Sequence, residues 1–342
     1  MREQAKGNRL RKKPLGEKEK NMRLSAKTLK RLYKGALSFK EEAGWLTAYR
    51  YTKAQLDYMA DPEYDWGWRM RAKFTGCCRI ELKTDATKIA FNYKASHSHE
   101  RANTIDLYVN GALTAIYRIG ENLKGRVEFS LPEGTKAVTI YMANESELQI
   151  KGFELNGTYR AIKTRGKRLL IIGDSITQGA GPDFSSSAYA DALQRKTGLD
   201  IVAQGIGGYR FEARDLMLTE GFVPDMVMVM LGTNYYDTGC EERGYPYKRA
   251  TIDFFNRLVQ LYPSTPITAV TPFFRTNADE WERFLWCIDT IKNACAEHKE
   301  SALIDGFSIM PCVAESLSDG VHPTAYASEL IATALASELT RK

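Results

Sequence analysis

Five short apolar runs in the second half of the chain alternate with longer amphipathic segments. The runs are Leu169–Ile172, Ile201–Ala203, Met226–Leu231, Ile267–Thr271 and Ala302–Ile304. The amphipathic segments lie near Tyr189–Lys196, Tyr247–Leu261, Ala278–His298 and Thr324–Leu339. Runs this short and this continuously apolar read as strands buried on both faces. Their alternation with helices then calls for a parallel sheet covered on either side, a doubly wound α/β domain. Such a fold delivers the loop after each strand to one rim, so chemistry is expected at the carboxyl ends of the strands.

The first half has a different texture. Arg79–Lys83 and Lys88–Tyr93 alternate apolar with polar residues, and Ile105–Val109 leads through Asn110-Gly111 into a further apolar run at Ala112–Ile119. Asn-Gly between two such runs is a hairpin signal. Val127–Leu131, Ala137–Met142 and Leu148–Leu155 continue the series at spacings that suit an all-β sandwich, jelly-roll-like, with one covered and one wetter face per strand. The expected layout is a basic extension over 1–35, the sandwich over 36–160 and the α/β domain over 161–342, the last two joined by the basic linker Arg160–Lys167.

The net charge of +6 is unevenly spread. Residues 1–34 carry 13 Lys/Arg and 3 Asp/Glu, leaving 35 basic against 39 acidic groups in the rest. A solvated extension, with Met22 as a later start, is the preferred reading of that head over a nucleic-acid-binding arm. No nucleic-acid partner and no membrane partner is expected, because no apolar run reaches the roughly 18 residues of a span. The amino terminus lacks the apolar centre of a secretion signal. The six cysteines, at 77, 78, 240, 287, 295 and 312, show no metal-ligand spacing, and reduced thiols in a cytoplasm are expected. Cys77 and Cys78, if on a strand, would point to opposite faces.

Four segments carry the chemistry. Gly173-Asp174-Ser175-Ile176-Thr177-Gln178-Gly179 follows the first apolar run, where a serine among glycines can project its hydroxyl from the sheet edge as a nucleophile. Gly205-Ile206-Gly207-Gly208 and Gly232-Thr233-Asn234 follow the second and third runs, and Asp319-Gly320-Val321-His322-Pro323 precedes the last helix, with Pro323 suited to the first helical position. His322 can take the proton of Ser175 while Asp319 orients its ring. A bare glycine N–H, the Asn234 amide and the Ser175 N–H can donate to an oxyanion. Asp174 reads as structural, bonding loop amides. The phosphate-loop alternative lacks the lysine and glycine spacing it needs.

These four blocks, in this order, resemble the SGNH (GDSL-type) hydrolase superfamily. The resemblance covers about residues 168–340. It implies a flavodoxin-like domain with Ser175 as nucleophile, Ser175, Gly208 and Asn234 as oxyanion donors, and Asp319 and His322 completing the triad. Gly208 is preferred over Gly207 because the family glycine usually closes a Gly-x-x-Gly turn. Ile176, Gln204 and Tyr235 depart from residues common in the family, which bears on pocket shape. A sandwich ahead of such a domain is similar to two-domain carbohydrate esterases. Acetylated sugars are implied by analogy alone.

The expectation is therefore a serine esterase acting on small O-acyl esters, acetyl first, of an oligosaccharide or other small molecule. It would need no cofactor and no metal, and an oligomer stays open. An acyltransferase using the same acyl-enzyme and a non-catalytic carbohydrate-binding protein are the alternatives. Tyr235, Tyr236 and Phe273-Phe274 follow strands on the expected rim and are candidates for shaping the substrate pocket. His97, His99 and Glu100 are close enough for a surface metal site, but a solvated loop is preferred because a fourth ligand is not evident. Trp66 and Trp68 would share one face of an extended segment, for core packing or sugar stacking.

Overall fold

The computed structural model describes residues 21–96, 103–119, 121–164, 166–235, 246–277, 281–298 and 301–340. His97, His99, Glu100, Tyr236 and Cys240 lie outside the described residues. In chain order the first half begins with β1 (Met22–Arg23), α1 (Ala26–Lys30), β2 (Tyr33–Lys34), β3 (Ser38–Glu42) and β4 (Trp45–Tyr49). Two short helices follow, α2 (Lys53–Met59) and α3 (Trp66–Arg71). Next come β5 (Arg79–Thr84), β6 (Lys88–Ala95), β7 (Thr104–Val109), β8 (Ala112–Arg118), β9 (Lys124–Ser130), β10 (Lys136–Tyr141), β11 (Leu148–Leu155) and β12 (Tyr159–Ala161).

These strands form two antiparallel sheets. One has the order β3-β4-β11-β6-β9, with β1 beside β11. The other has the order β12-β5-β10-β7-β8, with β2 beside β5. Their inner faces meet in one apolar core, in which Phe91 and Phe153 stack with centroids 5.6 Å apart. The Asn110-Gly111 turn joins β7 to β8 as the sequence suggests. Two expectations change here. The sandwich takes in Met22–Lys34, ahead of residue 36, because Leu24, Leu29 and Leu32 bury themselves in its core. The second sheet also has its outer face covered over β5, β7 and β10, every residue of β7 being buried, while β8 keeps the exposed character expected of it.

The reason for that burial is the second half of the chain. Its parallel sheet comprises β13 (Arg168–Gly173), β14 (Asp200–Gly205), β15 (Met226–Met230), β16 (Ile267–Val270) and β17 (Ser301–Ile304), in the order β14-β13-β15-β16-β17. The accompanying helices are α4 (Ser175–Gln178), α5 (Tyr189–Thr197), α6 (Tyr247–Leu261), α7 (Trp281–Ala296), α8 (Gly306–Ile309) and α9 (Ala325–Thr340). This is the doubly wound, flavodoxin-like order, whose direction reverses between β13 and β15 and opens a crevice there. No helix among the described residues is long and apolar enough to cross a membrane.

The two halves share a buried polar seam. Asp106 of β7 accepts from the Ser186 amide at 2.7 Å, and Arg195 of α5 lies over the rings of Tyr108 and Tyr141. Cys77 and Cys78 sit in the turn before β5 and do point apart, Cys78 into the sandwich core and Cys77 into the core beneath the parallel sheet. Asp191, 1% exposed, lies in this seam with neither carboxylate oxygen hydrogen-bonded. Burial pushes its carboxyl up to about 6 from 3.8, against the opposing pull of Arg79 and Arg195. The folded state therefore holds this proton more tightly than the unfolded chain, and the contribution of Asp191 to stability falls as pH rises through that interval. Asp191→Asn is expected to stabilise the fold above pH 7 by about 2–3 kcal/mol and to change little below pH 4. Denaturant melts at the two pH values test this, and equal effects at both would contradict it.

Candidate active site

The loop carrying Ser175 forms where β13 ends. Asp174 caps α4, its Oδ1 accepting from the Ile176 amide at 3.0 Å, so Ser175 becomes the first residue of a single helical turn. Burial pushes the Asp174 carboxyl up to about 6, opposed by that amide bond and by His322. Asp174 thus has the structural place expected of it. Close approach dictates the next block: a Cβ at Gly205 would sit 2.2 Å from the Gln178 nitrogen, inside the α4 backbone. Gly208 has φ +79°, a conformation that favours glycine over residues with a Cβ.

The late segment folds back onto this loop. Asp319 Oδ1 accepts from the amides of Val321 and His322 at 3.1 and 2.9 Å, forming a tight turn closed by the Leu317–Pro323 bridge. Its Oδ2 lies 2.8 Å from His322 Nδ1, and His322 Nε2 lies 2.8 Å from Ser175 Oγ. Burial works against the Asp319 carboxylate, yet the His322 amide and ring and the Val321 amide outweigh it and hold its pKa below the usual value. The hydroxyl, imidazole and carboxylate are thus one hydrogen-bonded chain across 147 residues of sequence. Pro323 does not open α9; Thr324 stands at its cap, Oγ1 accepting from the Ala327 amide at 3.3 Å.

A cleft of about 390 Å³ opens over Ser175. Gly207, Gly208, Thr233, Asn234 and His322 line it with Ser175, so the four sequence blocks converge on one rim. Asn234 lies in the short turn Thr233–Tyr235, with Nδ2 3.1 Å from the Tyr209 carbonyl. Arg275, from the loop after β16, steadies that turn by donating to the Thr233 carbonyl at 2.8 Å and to Asn277 Oδ1 at 2.7 Å. Backbone amides and an amide side chain grouped around a serine hydroxyl can hold a developing oxyanion while the imidazole moves the proton.

Other expected residues fall elsewhere. Phe273, only 2% exposed, packs in the core with Val270 and Ile304 and does not line the cleft. Phe274 stacks on Trp281 instead. The Tyr235 side chain and Tyr236 lie outside the described residues. Trp66 and Trp68 sit on helix α3, not on an extended segment; Trp66 is exposed and Trp68 meets Tyr209 edge-on. Gln204, one of the departures noted above, reaches across to the amino-terminal half, donating to the Arg50 carbonyl at 3.1 Å and to Gln55 Oε1 at 3.0 Å.

Sequence reasoning missed Arg71, Glu145, Gln178, Arg275 and Asn277, all of which line the cleft. Gln178 lies inside the serine motif, and Arg275 and Asn277 trail a strand on the predicted rim, so position could have flagged those three. Arg71 and Glu145 come from the amino-terminal half, and no local pattern points from them to the serine.

Residues 171–330 match the GDSL-like Lipase/Acylhydrolase family. No curated protein sequence matches the chain. Among solved structures, a salicylyl-acyltransferase from a tetracycline biosynthetic pathway is similar over 94% of this chain and 97% of its own, at 19% identity and TM-score 0.76. A family two carbohydrate esterase from Clostridium thermocellum, in complex with cellohexaose, is 18% identical over 78% of this chain and 93% of its own, with TM-score 0.62. An acetyl xylan esterase from the rumen bacterium Butyrivibrio proteoclasticus is 18% identical over 78% and 90%, with TM-score 0.59. At these identities the likeness is one of fold. With the family match spanning the serine, the glycine turn, the asparagine and the histidine, the second half of the chain is a serine hydrolase domain of the GDSL-like lipase/acylhydrolase family, carried behind a β-sandwich.

Proposed function

We propose that the protein is a serine esterase that removes short acyl groups, acetyl above all, from the hydroxyls of carbohydrates. Ser175 Oγ attacks the ester carbonyl as its proton passes to His322 Nε2, and Asp319 steadies the imidazolium. The carbonyl oxygen, now an oxyanion, takes hydrogen bonds from the amides of Ser175 and Gly208 and from Asn234. Collapse expels the sugar alkoxide, which leaves with the proton from His322. A water molecule then gives its proton to His322 and attacks the acyl-enzyme, releasing the acid and restoring Ser175.

The observation that carries this reading is the polarity of the cleft. Among the described residues, Arg71, Glu145, Gln178, Thr233, Asn234, Arg275 and Asn277 surround the serine, whereas Ala180 and Val321 supply the apolar side chains. A long acyl chain draws about 0.8 kcal/mol from each methylene it buries, and these walls offer little apolar surface for it. Sugar hydroxyls find donors and acceptors instead. The carbohydrate and acetyl xylan esterases among the similar structures support the same substrate class. The described cysteines are free thiols, four of them buried, and on that ground we place the protein in the cytoplasm.

Across p-nitrophenyl esters of rising chain length, kcat/KM is expected to peak at acetate and to fall by at least about tenfold by octanoate, since the described cleft walls return little of the burial energy. Acetate release from acetylated xylo- and cello-oligosaccharides should accompany it. Preference for octanoate would overturn the proposal. A second reading, transfer of the acyl group to an alcohol, is favoured by the salicylyl-acyltransferase that shares both halves of the fold. The half-exposed Asp319 and open cleft admit water and favour hydrolysis. Product analysis with added sugar alcohols separates the two.

A further inference from the structure

We infer that Arg71, supplied by the amino-terminal half, is a positioning residue for the oxyanion site. Its Nη1 donates to the Gly207 carbonyl at 3.2 Å, and its Cδ lies 2.9 Å from the point a Cβ on Gly207 would occupy. The Gly207 carbonyl and the Gly208 N–H belong to the same planar trans peptide and point in opposite directions. Whatever holds that carbonyl therefore aims that N–H, the donor assigned above to the oxyanion. Among the described residues no other group donates to the Gly207 carbonyl.

The need for such a hold follows from the loop itself. Gly207 and Gly208 have no side chains to pack, and Gly208 takes φ +79°, so rotation of their shared peptide meets little steric resistance. The Gly207 amide is fixed on one side by Gln178 Oε1 at 2.8 Å. Arg71 fixes the other. Because the guanidinium is charged, its bond also polarises the peptide and strengthens the opposite N–H as a donor. Arg71 is itself anchored: fully buried Arg50 donates to its carbonyl at 3.1 Å and to that of Ala203, next to the glycine turn, at 3.4 Å. Trp68, one helical turn earlier, packs its ring edge-on to Tyr209 at the far end of the turn, 5.0 Å between centroids. Helix α3 thus holds the carboxyl end of the glycine turn at two points, Gly207 and Tyr209.

This inference rests on Ser175 and Gly208 having the roles proposed above. Arg71→Met is expected to lower kcat on p-nitrophenyl acetate by about 10–100-fold with KM little changed, short of the 10²–10³ that outright loss of an oxyanion donor costs. Affinity for a trifluoromethyl ketone, whose hemiketal on Ser175 carries an oxyanion, should fall by the same factor. Arg71→Lys, which keeps one charged donor, should stay within about fivefold of the parent, and millimolar methylguanidinium should partly restore Arg71→Ala. Unchanged kcat, a rise confined to KM, or undiminished affinity for the ketone would overturn the inference. So would failure of both the lysine variant and methylguanidinium to recover activity. Ser175→Ala, assayed alongside, separates the two levels: if it is inactive while Arg71→Met keeps full kcat, only the role of Arg71 falls, and if it stays active both fall.

Discussion

Ser175→Ala is expected to lower kcat for ester hydrolysis by about 10⁶-fold, the scale seen when a serine hydrolase loses its nucleophile. The change removes one oxygen from a small, buried side chain at the start of α4, and the caps of that turn, Asp174 and Gly179, do not depend on it. Stability should therefore stay close to the parent, so that lost activity reports chemistry. The variant should also escape labelling by a fluorophosphonate, read as an absent mass shift on the peptide carrying residue 175. Labelling of the variant, or retention of several per cent of its activity, would remove Ser175 from the mechanism.

Asp319→Asn is expected to cost about 10⁴-fold in kcat at neutral pH. The carboxylate accepts from His322 Nδ1–H, which leaves Nε2 as the proton acceptor facing Ser175. An asparagine amide turned toward Nδ1 donates instead, and the ring then presents its N–H to a hydroxyl that needs a base. Because the Asp319 pKa is held below the usual carboxylate value, the group stays charged through the acid range in which an imidazole takes up its proton. Loss of activity as pH falls is therefore not expected to follow protonation of Asp319.

Much of this site is legible in the sequence because its parts are local signals. Each of the four blocks is a loop after a strand or before a helix, and the alternation of apolar runs with amphipathic segments fixes which rim they share. Tyr247–Leu261 was legible to the residue because its apolar spacing keeps a helical period over fifteen residues. Helices α2 and α3 were not, since seven and six residues are too few to show a period. Their caps were present, with Thr52 and Gln55 forming a reciprocal pair and Asp65 accepting from Trp68, but such signals are weak without the periodic run they normally introduce. Phe273 misled because position after a strand places a backbone, not the direction of its side chain. Arg71 and Glu145 were invisible for a further reason: they reach the cleft only through the packing of one half of the chain on the other.

That packing bears on how such a chain could change over time. Asn144 of the first half donates to the Ser185 carbonyl at 2.8 Å, and a Cβ at Gly76 would lie 2.6 Å from the Gln178 carbonyl of the serine loop. Gln204 and Arg50 are likewise threaded through one another's half. A sandwich borrowed from another lineage would arrive without these partners and leave buried amides and guanidinium groups stranded. Recombination at the linker is thus closed to this architecture, and new substrate preferences would have to come through paired point changes on both sides of the seam.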